Sequence, residues 1–309
     1  MSKKSIIITS GDPAGCGPFI TLEAVNKSKL KNIDFFVTGD RKIFEKFSVF
    51  KKVKEKINLI DADTKGIEKI KKGQASKLSG VASLSYINQA LKLMKQKNIK
   101  RIVTAPLSKE AVKLTEDNFS GHTEYLANYF KINNFAMMMA SKNLKVILLS
   151  RHILLRDVSC FLNEKNIYDA LSLVYSSLKR QFKVKNPKIA FASLNPHAGV
   201  NTFLESEERR MAEAIHRFQK KIYGPYPADT LFIPESLQKY DCVLCPYHDQ
   251  GMIPFKMLSF YDGVNVTLGL PIIRTSPAHG TAFDLIKAEK KPFSASMEAA
   301  INLALMLDP

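Results

Sequence analysis

Short β-rich runs that alternate with amphipathic helical patterns constrain the fold of this chain more than any other feature. The β-rich runs are residues 6–9, 35–38, 102–104, 146–149, 189–194 and 243–245, several of them bounded by Gly, Pro or Asn. Between them, residues 83–96 and 168–182 carry apolar side chains at helical spacing. Because strands that alternate with helices form parallel sheets covered on both faces, the sequence predicts an α/β fold.

The length of the chain indicates two lobes. Its 309 residues exceed the size at which one hydrophobic core usually keeps growing. We expect a terminal lobe formed by residues 1–120 and 265–309 and a central lobe formed by 121–264, although no linker rich in Pro, Gly or Ser marks the boundaries. A cleft between lobes is a preferred location for ligands, so the active site is expected there.

Composition and hydropathy argue against two classes of partner. No apolar run approaches the roughly 20 residues of a membrane span, and residues 6–8 are far shorter than a signal-peptide core. We therefore expect a cytoplasmic protein with no membrane partner. The net charge of +17 raises the alternative of a basic nucleic-acid-binding protein. The lysines are spread over predicted helix faces and loops without interleaved aromatic residues, which argues against a nucleic-acid partner.

The four cysteines do not form a disulfide framework. Cys242 and Cys245 make a C-x-x-C pair within a predicted strand, where positions three apart point to opposite faces. A shared zinc ion or a redox pair is therefore not expected at these cysteines.

Three histidines lie in short polar motifs directly after apolar runs. His152, His197 and His248 follow the runs 146–149, 189–194 and 242–245. Each would emerge at the end of a buried strand, where open α/β sheets place ligand sites. Neutral imidazoles that converge there would suit Zn²⁺ or a similar divalent ion with an open coordination position. Asp249 and Gln250, beside His248, could fix the imidazole tautomers. The alternative is that these histidines are hydrogen-bonded residues of the core or its rim.

Glycines follow the first predicted strand, in a loop that includes Gly15 and Gly17. They would let backbone amides approach an anion at a helix N-terminus. The loop lacks the full dinucleotide fingerprint and the Walker lysine, so a plain tight turn explains it equally well. Residues 104–109 and 121–124 are further polar loops, in which Ser108 and Thr123 could simply cap helices.

Two cations stand in an otherwise apolar stretch downstream of His248. Lys256 and Arg274 could hold a phosphate or carboxylate, the arginine through two parallel hydrogen bonds, or could be solvated surface residues. The next segment, 277–284, contains Gly280 and precedes a predicted helix, so it could contact a nucleotide or merely turn the chain.

Together these segments resemble the 4-hydroxythreonine-4-phosphate dehydrogenase (PdxA) family of pyridoxal phosphate biosynthesis. The resemblance extends from Ile6 to about Leu303. Its most specific pieces are L-N-P-H-A-G at 194–199, Y-H-D-Q-G at 247–251 and G-V-N-V-T-L-G-L-P at 263–271, which continues to R-T-S at 274–276.

The resemblance implies a two-lobed α/β/α fold of the isocitrate and isopropylmalate dehydrogenase type, in a homodimer whose active site takes residues from both subunits. It also implies a role for each matched residue. His152, His197 and His248 match the divalent-metal ligands, the metal being Zn, Mg or Co. The positions that match substrate-binding residues are His122, Thr123, Lys256, Asn265 and Arg274. The loop that contains His279, Gly280, Thr281 and Asp284 is similar to the adenosine-side cofactor loop, and Gly15 and Gly17 are further candidates for cofactor contacts.

The implied reaction is oxidation of 4-phosphohydroxy-L-threonine by NAD or NADP to 2-amino-3-oxo-4-phosphooxybutanoate, which loses CO₂ to give 3-amino-2-oxopropyl phosphate. Asp249 and Lys256 are the candidate catalytic residues for this oxidoreductase. Relatives of the family that act on another phosphorylated hydroxy acid or on a dihydrodiol remain an alternative, and Lys256 with Arg274 favours an anionic substrate.

The chain departs from the family pattern at three places. Phe19 stands where the family often has Glu, and residues 200–203 replace a usual glycine-rich run. Residues 259–262 lack the expected glycine and basic residue. All of the implied metal and substrate positions are retained.

Overall fold

A computed structural model describes residues 3–199 and 205–309. The chain divides into two compact units, which are unit 1 (residues 1–131, 270–307 and 309) and unit 2 (residues 132–269 and 308). The boundaries between the units thus fall after residues 131 and 269, whereas the sequence predicted them after residues 120 and 264. One reason is that the helix that begins at His122 belongs to unit 1. The loop departure at 200–203 lies outside the described residues.

The strands are β1 (Lys4–Thr9), β2 (Ile33–Gly39), β3 (Ile57–Asp61), β4 (Arg101–Thr104), β5 (Ala136–Ala140), β6 (Lys145–Leu148), β7 (Ile189–Ala192), β8 (Ile222–Tyr226), β9 (Cys242–Cys245), β10 (Val264–Leu268) and β11 (Ile273–Pro277). In unit 1 the order is β3-β2-β1-β4-β11, and every pair is parallel. In unit 2 the order is β10-β5-β6-β9-β7-β8. Here β5 runs antiparallel to both β10 and β6, so the expectation of a wholly parallel sheet is wrong for unit 2.

The helices are α1 (Gly17–Lys27), α2 (Arg41–Phe44), α3 (Phe50–Val53), α4 (Lys77–Lys97), α5 (Lys109–Lys113), α6 (His122–Tyr129), α7 (Val158–Phe161), α8 (Glu164–Arg180), α9 (Glu205–Phe218), α10 (Ala228–Leu231), α11 (Pro234–Leu237), α12 (His248–Ser259), α13 (Phe283–Lys287) and α14 (Ala295–Met306). Within the described ranges, no helix combines the length and the apolar character that crossing a bilayer requires.

Local capping explains why two helices begin earlier than their apolar periodicity predicts. Helix α4 starts at Lys77 because the Ser76 hydroxyl accepts a hydrogen bond from the Ser79 amide, and the Ser79 hydroxyl accepts one from the Ser76 amide. Helix α8 starts at Glu164, and the Asn163 side chain caps it by accepting from the Asn166 amide at 2.9 Å.

Each of the six predicted β-rich runs contains a strand, although the runs 146–149 and 189–194 extend past the ends of β6 and β7; among residues 3–199 and 205–309, five further strands were not predicted. The missed strands include β5, which is rich in Met and Ala, and β8, which contains a Gly-Pro pair. Such residues carry little β propensity. Cys242 and Cys245 are both buried and free in β9.

A buried carboxyl group anchors the loop after β1. Asp12 is inaccessible to solvent, and its Oδ1 accepts from the Ala14 amide at 2.8 Å while Oδ2 accepts from the Ser79 hydroxyl at 3.3 Å. Burial raises the pKa of Asp12 to about 6, although these hydrogen bonds and one from the Ser108 backbone oppose the shift. The loop therefore holds a group that becomes charged near neutral pH.

We predict that Asp12 makes stability depend on pH. Because its folded-state pKa lies above its value in the unfolded chain, the folded state binds more protons between about pH 4 and 6, and the free energy of unfolding falls as the pH rises through that range. The free energy of unfolding of Asp12→Asn, measured relative to that of the parent, should therefore rise by about 2–3 kcal/mol between pH 4 and pH 7.

Chemical denaturation at the two pH values measures this difference. Asp117→Asn, which removes one exposed carboxylate from the same unit, is the matched control. A difference between Asp12→Asn and the parent that stays constant with pH would contradict the assignment.

Candidate functional site

Adjacent strand ends in unit 2 bring His152 and His248 together. Strands β6 and β9 pair in parallel with Leu148 opposite Cys245, and the pairing continues past both strands because the Ser150 amide donates to the Pro246 carbonyl at 3.2 Å. The two chains therefore leave the sheet side by side, and both histidines follow within a few residues. This is the arrangement expected at the carboxyl ends of parallel strands.

The His152 and His248 rings lie with their centroids 5.2 Å apart and are tilted by 40°. His248 Nδ1 lies 2.6 Å from Asp249 Oδ1. That contact favours the tautomer with the proton on Nδ1, which leaves the Nε2 lone pair available to a metal or a proton. Two imidazoles that bind one tetrahedral Zn²⁺ at about 2.0–2.1 Å have ring centres roughly 5 Å apart, so this pair fits a shared divalent ion.

His197 follows β7, the strand on the other side of β9. It lies in a short turn, Pro196–Gly199, with a left-handed backbone (φ 53°) that continues into Ala198 (φ 56°). Consecutive non-glycine residues in this conformation are rare and are concentrated at functional sites. The turn is braced by Glu208, which accepts from the Asn195 amide and side chain at 2.8 and 2.9 Å.

The histidine triad expected from the sequence is only partly assembled in one copy of the chain. Among residues 3–199 and 205–309, no group of three or more His, Cys, Asp or Glu side chains is arranged as metal ligands. His152 and His248 are neighbours, whereas His197 is exposed and does not join them in such a group. Gln250 links the two regions, since its side-chain amide donates to the Ser193 carbonyl at 2.7 Å.

Lys256 and Asn265 are the other predicted site residues in unit 2. Lys256 lies in the last turn of α12, and partial burial lowers the pKa of its ammonium group, which makes proton release easier. Asn265 lies in β10, and its side-chain oxygen is buried without a hydrogen-bond partner in the described structure. Buried polar atoms of this kind are uncommon, and Asn265 Oδ1 can accept a hydrogen bond from a ligand.

Unit 1 contains a buried arginine. Arg274 lies in β11 and is 3% exposed. Its Nε and Nη2 donate to the Thr104 hydroxyl at 3.1 and 2.8 Å, and Nη1 lies 3.4 Å from the Thr123 hydroxyl. Burial lowers the pKa of Arg274 to about 10, and the nearby Glu124 carboxylate opposes that shift. The guanidinium group therefore remains charged at neutral pH in a place where charge is costly.

His122 lies beside this guanidinium group. Its Nε2 is buried and has no hydrogen-bond partner in the described structure. Burial, and then the charges of Arg274 and Lys109, hold the pKa of His122 well below its usual range, so the ring is neutral. A bound anion would reverse the electrostatic part of this shift, because its negative charge would favour the imidazolium form.

Ser108 and Thr123, the two candidate helix caps, have different roles in the structure. Ser108 caps α5, since its hydroxyl accepts from the Ala111 amide at 3.1 Å. Thr123 lies inside α6, whose N-cap is Gly121, so the capping interpretation is wrong for Thr123. Its hydroxyl instead lies against Arg274.

Sequence reasoning did not assign Thr104 or Lys109 to the site. Thr104 orients Arg274 through the two hydrogen bonds already described. Lys109 packs against Gly121, where a Cβ atom would lie 3.0 Å from its Cε and 3.4 Å from its Nζ. The extreme φ of Gly121, 141°, and its missing side chain thus admit the lysine. Both residues lie in the polar loop 104–109, and the position of that loop after a predicted strand is the only sequence feature that points to them.

The predicted cofactor residues of unit 1 lie in two touching loops. The Cys16 amide, between Gly15 and Gly17, donates to the Thr281 carbonyl at 2.9 Å. A Cβ at Gly15 would lie 3.0 Å from Thr281, and one at Gly17 would lie 2.2 Å from the Ser10 carbonyl. These glycines therefore permit close packing, which is the tight-turn alternative raised by the sequence.

The second loop is open to a ligand. A Cβ at Gly280 would meet nothing within 4 Å, and the His279 and Asp284 side chains are exposed. His279 Nδ1 lies 2.9 Å from the Gly280 carbonyl. An accessible backbone beside exposed polar side chains fits the binding of a dinucleotide.

Comparison with known proteins identifies the family. The model of the family described as pyridoxal phosphate biosynthetic protein PdxA matches residues 19–304. A 4-hydroxythreonine-4-phosphate dehydrogenase from Desulforapulum autotrophicum is 38% identical over 97% of this chain and 94% of its own length. A D-threonate 4-phosphate dehydrogenase from Salmonella typhimurium is 37% identical over 99% of this chain and 100% of its own length.

Solved structures support the same family assignment. The crystal structure of a 4-hydroxythreonine-4-phosphate dehydrogenase from Klebsiella pneumoniae superposes with a TM-score of 0.82, at 33% identity, over 97% of this chain and 99% of its own. A terephthalate 1,2-cis-dihydrodiol dehydrogenase from Burkholderia xenovorans has the same fold, with a TM-score of 0.66 at 19% identity over 98% of each chain. This chain therefore belongs to the PdxA family of pyridoxal phosphate biosynthetic proteins.

Proposed function

We propose that the protein is a dehydrogenase that oxidises 4-phosphohydroxy-L-threonine with NAD or NADP in the presence of a divalent metal ion. The observation that carries this proposal is the buried Arg274 guanidinium group beside the unpartnered Nε2 of His122. A charged guanidinium group and an imidazole that can take up a proton, both buried, are suited to bind a phosphate or a carboxylate. Family membership supplies the class of reaction.

In the proposed reaction, the carbinol carbon would lose a hydride and the hydroxyl oxygen would lose its proton, which converts the secondary alcohol into a ketone. The resulting β-keto acid loses CO₂, and the electron pair left at the α-carbon takes up a proton to give 3-amino-2-oxopropyl phosphate. NAD or NADP supplies the hydride acceptor, and we assign its adenosine side to His279, Gly280, Thr281 and Asp284, beside Gly15 and Gly17.

His152, His197 and His248 are the proposed holders of a Zn, Mg or Co ion. Such an ion supplies Lewis-acid stabilisation of negative charge on oxygen. Asp249 fixes the His248 tautomer through its 2.6 Å contact. Lys256 is the candidate proton carrier, because its lowered pKa brings proton exchange closer to neutral pH. Thr123 and Asn265 complete the substrate contacts.

We further propose that the enzyme works as a homodimer whose second copy completes the metal site. Helix α12 and the two residues after it carry apolar side chains that are each at least half exposed, which are Ile253, Met257 and Leu258 in the helix and Phe260 and Tyr261 after it. An exposed apolar surface of this kind suits a protein partner. Because the same helix begins with His248, a second copy bound there would come near the incomplete pair of ligands.

A second substrate is D-threonate 4-phosphate, which replaces the amino group by a hydroxyl. The relative named for that substrate is as similar to this chain as those named for the amino compound.

Turnover of both compounds, followed through the absorbance of the reduced nicotinamide with and without a chelator, tests the proposal. Chelator-sensitive oxidation of either compound supports a dehydrogenase, and the larger kcat/KM identifies the substrate. Oxidation of neither compound would contradict the proposed function.

Loss of a proposed metal ligand should slow turnover sharply. His197→Ala should lower kcat by about 1,000-fold, because Lewis-acid stabilisation lowers the activation barrier by several kcal/mol. His216→Ala, which removes an exposed histidine from α9, is the matched control and should keep parental activity. Undiminished chelator-sensitive turnover by His197→Ala would remove His197 from the metal site.

Weakening the anion site should raise KM more than it lowers kcat. Arg274→Lys keeps a charge but loses the forked donors, and Lys109→Gln loses a nearby charge, so each should raise KM for the phosphorylated substrate by about 10-fold or more. The KM for NAD should stay unchanged in both variants. Since Arg274 is buried, melting curves must first establish that Arg274→Lys is folded. An unchanged substrate KM in both variants would contradict the anion site.

A charge on the exposed face of α12 should disrupt the dimer. Met257→Glu places a carboxylate in the proposed apolar contact between the two copies. Sedimentation should therefore show a monomer, and that monomer should take up metal poorly. Leu285→Glu, at another exposed apolar position, should leave the dimer intact. A parent protein that sediments as a monomer yet turns over substrate would refute the shared site.

A further inference from the structure

Asp12, in the loop after β1, joins three segments of unit 1. Its Oδ1 accepts from the Ala14 amide within the loop, and its Oδ2 accepts from the Ser79 hydroxyl in the first turn of α4. The Ser108 backbone amide, at the start of α5, also hydrogen-bonds to the carboxyl group. The side chain is inaccessible to solvent, so contacts within the protein take the place of water. One buried carboxyl group thus links the loop to the starts of two helices.

The backbone around Asp12 is packed closely against the segment before α5. The Asp12 amide donates to the Pro106 carbonyl at 2.9 Å, and a Cβ at Gly11 would lie 2.2 Å from that carbonyl oxygen. Helix α5 in turn packs on α4, since a Cβ at Gly80 would lie 2.1 Å from the Ala111 carbonyl oxygen. Because interiors packed in this way transmit small displacements, a change at Asp12 should reach α5.

Helix α5 begins with Lys109, a residue of the proposed anion site. Ser108 caps the helix, and Lys109 follows it directly. The Lys109 side chain packs against Gly121, one residue before His122, and its charge helps to hold the pKa of His122 below its usual range. The contacts therefore run from the Asp12 carboxyl group, through the Ser108 backbone, to an ammonium group beside the anion site.

The buried Asp12 carboxyl group is costly for the fold. Across residues 3–199 and 205–309, no Lys, Arg or His side chain forms an ion pair with it. A buried carboxylate without a cationic partner lowers stability, and an asparagine would offer an uncharged acceptor of nearly the same shape. Costly buried groups of this kind are concentrated at functional sites. The location of Asp12 therefore points to a role in the site and not in stability alone.

We propose that Asp12 is a positioning residue of the anion site, where it fixes the start of α5 and thereby the place of the Lys109 ammonium group. This inference rests on the proposed function, since it requires that Lys109 attracts a phosphorylated substrate. Asp12 acts without contact to the ligand, because its carboxyl group is enclosed by the protein. A carboxylate accepts hydrogen bonds more strongly than a neutral amide, so Asp12→Asn should loosen the start of α5.

Calorimetric titration of the full chain with 4-phosphohydroxy-L-threonine, in the absence of NAD, measures the effect on binding. Asp12→Asn should raise the Kd by about 10-fold, because the contact between Lys109 and the anion is weakened. Asp40→Asn is the matched control. That carboxyl group is also buried in unit 1, but it accepts from Tyr86 and Thr64 and from no residue of α5, so the control should bind the substrate as the parent does.

A double-mutant cycle with Lys109 separates positioning from general destabilisation. In a protein that already carries Lys109→Gln, Asp12→Asn should raise the Kd by less than about 2-fold, because the ammonium group that it positions is gone. A residue that only stabilises the fold would have the same effect in both backgrounds. In turnover assays, Asp12→Asn should raise the substrate KM and leave kcat close to that of the parent.

Hydrogen exchange of the Ala111 amide, which donates to the Ser108 hydroxyl, reports the order of α5 without any ligand. Exchange should be faster in Asp12→Asn than in the parent, and unchanged in Asp40→Asn. Melting curves establish that each variant is folded. If Asp12→Asn does not fold, Ser79→Ala, which removes one donor to the carboxylate, should change the Kd and the exchange rate in the same directions.

The outcomes separate this inference from the proposed function. If the parent binds the substrate and Asp12→Asn binds it equally well, or if Asp12→Asn has the same effect in the Lys109→Gln background, the positioning role is overturned and the anion site stands. If the parent binds neither 4-phosphohydroxy-L-threonine nor inorganic phosphate, the anion site itself is contradicted and the positioning role falls with it.

Discussion

The buried guanidinium group of Arg274 is the interaction on which the functional account depends. A charged group that is 3% exposed is expensive to bury, even where a hydroxyl such as that of Thr104 accepts hydrogen bonds from it. The same surroundings hold His122 neutral and leave its Nε2 without a partner. In the proposed function, a bound anion would offset this cost, because its negative charge would stabilise the guanidinium group and favour a protonated His122. The arrangement is thus better suited to a ligand than to the stability of the free protein.

Parallel strand ends explain how residues distant in the sequence become neighbours. In unit 2, pairing of β6 with β9 delivers His152 and His248 to the same edge of the sheet, and β7 delivers the His197 turn next to it. In unit 1, pairing of β4 with β11 places Thr104 beside Arg274. In unit 2 the histidines follow the ends of apolar strands, whereas in unit 1 Arg274 lies within β11, opposite Ile102 of β4, and its side chain reaches Thr104 at the end of β4.

The sequence predicted these strand ends because buried strands appear as uninterrupted apolar runs, as in residues 146–149 and 243–245. It did not predict the left-handed backbone at His197, since positive φ remains uncommon for any residue other than glycine. Lys109 was missed because only the close approach of Gly121 makes it part of the site. The antiparallel strand β5 was missed because its Met and Ala residues carry no strand signal.

The most direct test of the central claim is the pKa of His122, measured by NMR of its imidazole ring with and without 4-phosphohydroxy-L-threonine and in the absence of NAD. The free protein should show a ring that stays neutral well below pH 6.5. A bound phosphate should raise the pKa of His122, because its negative charge offsets Arg274 and Lys109, while the exposed His216 serves as the internal control. A pKa of His122 that does not change when the substrate binds would contradict the claim that this buried cationic cluster is the anion site.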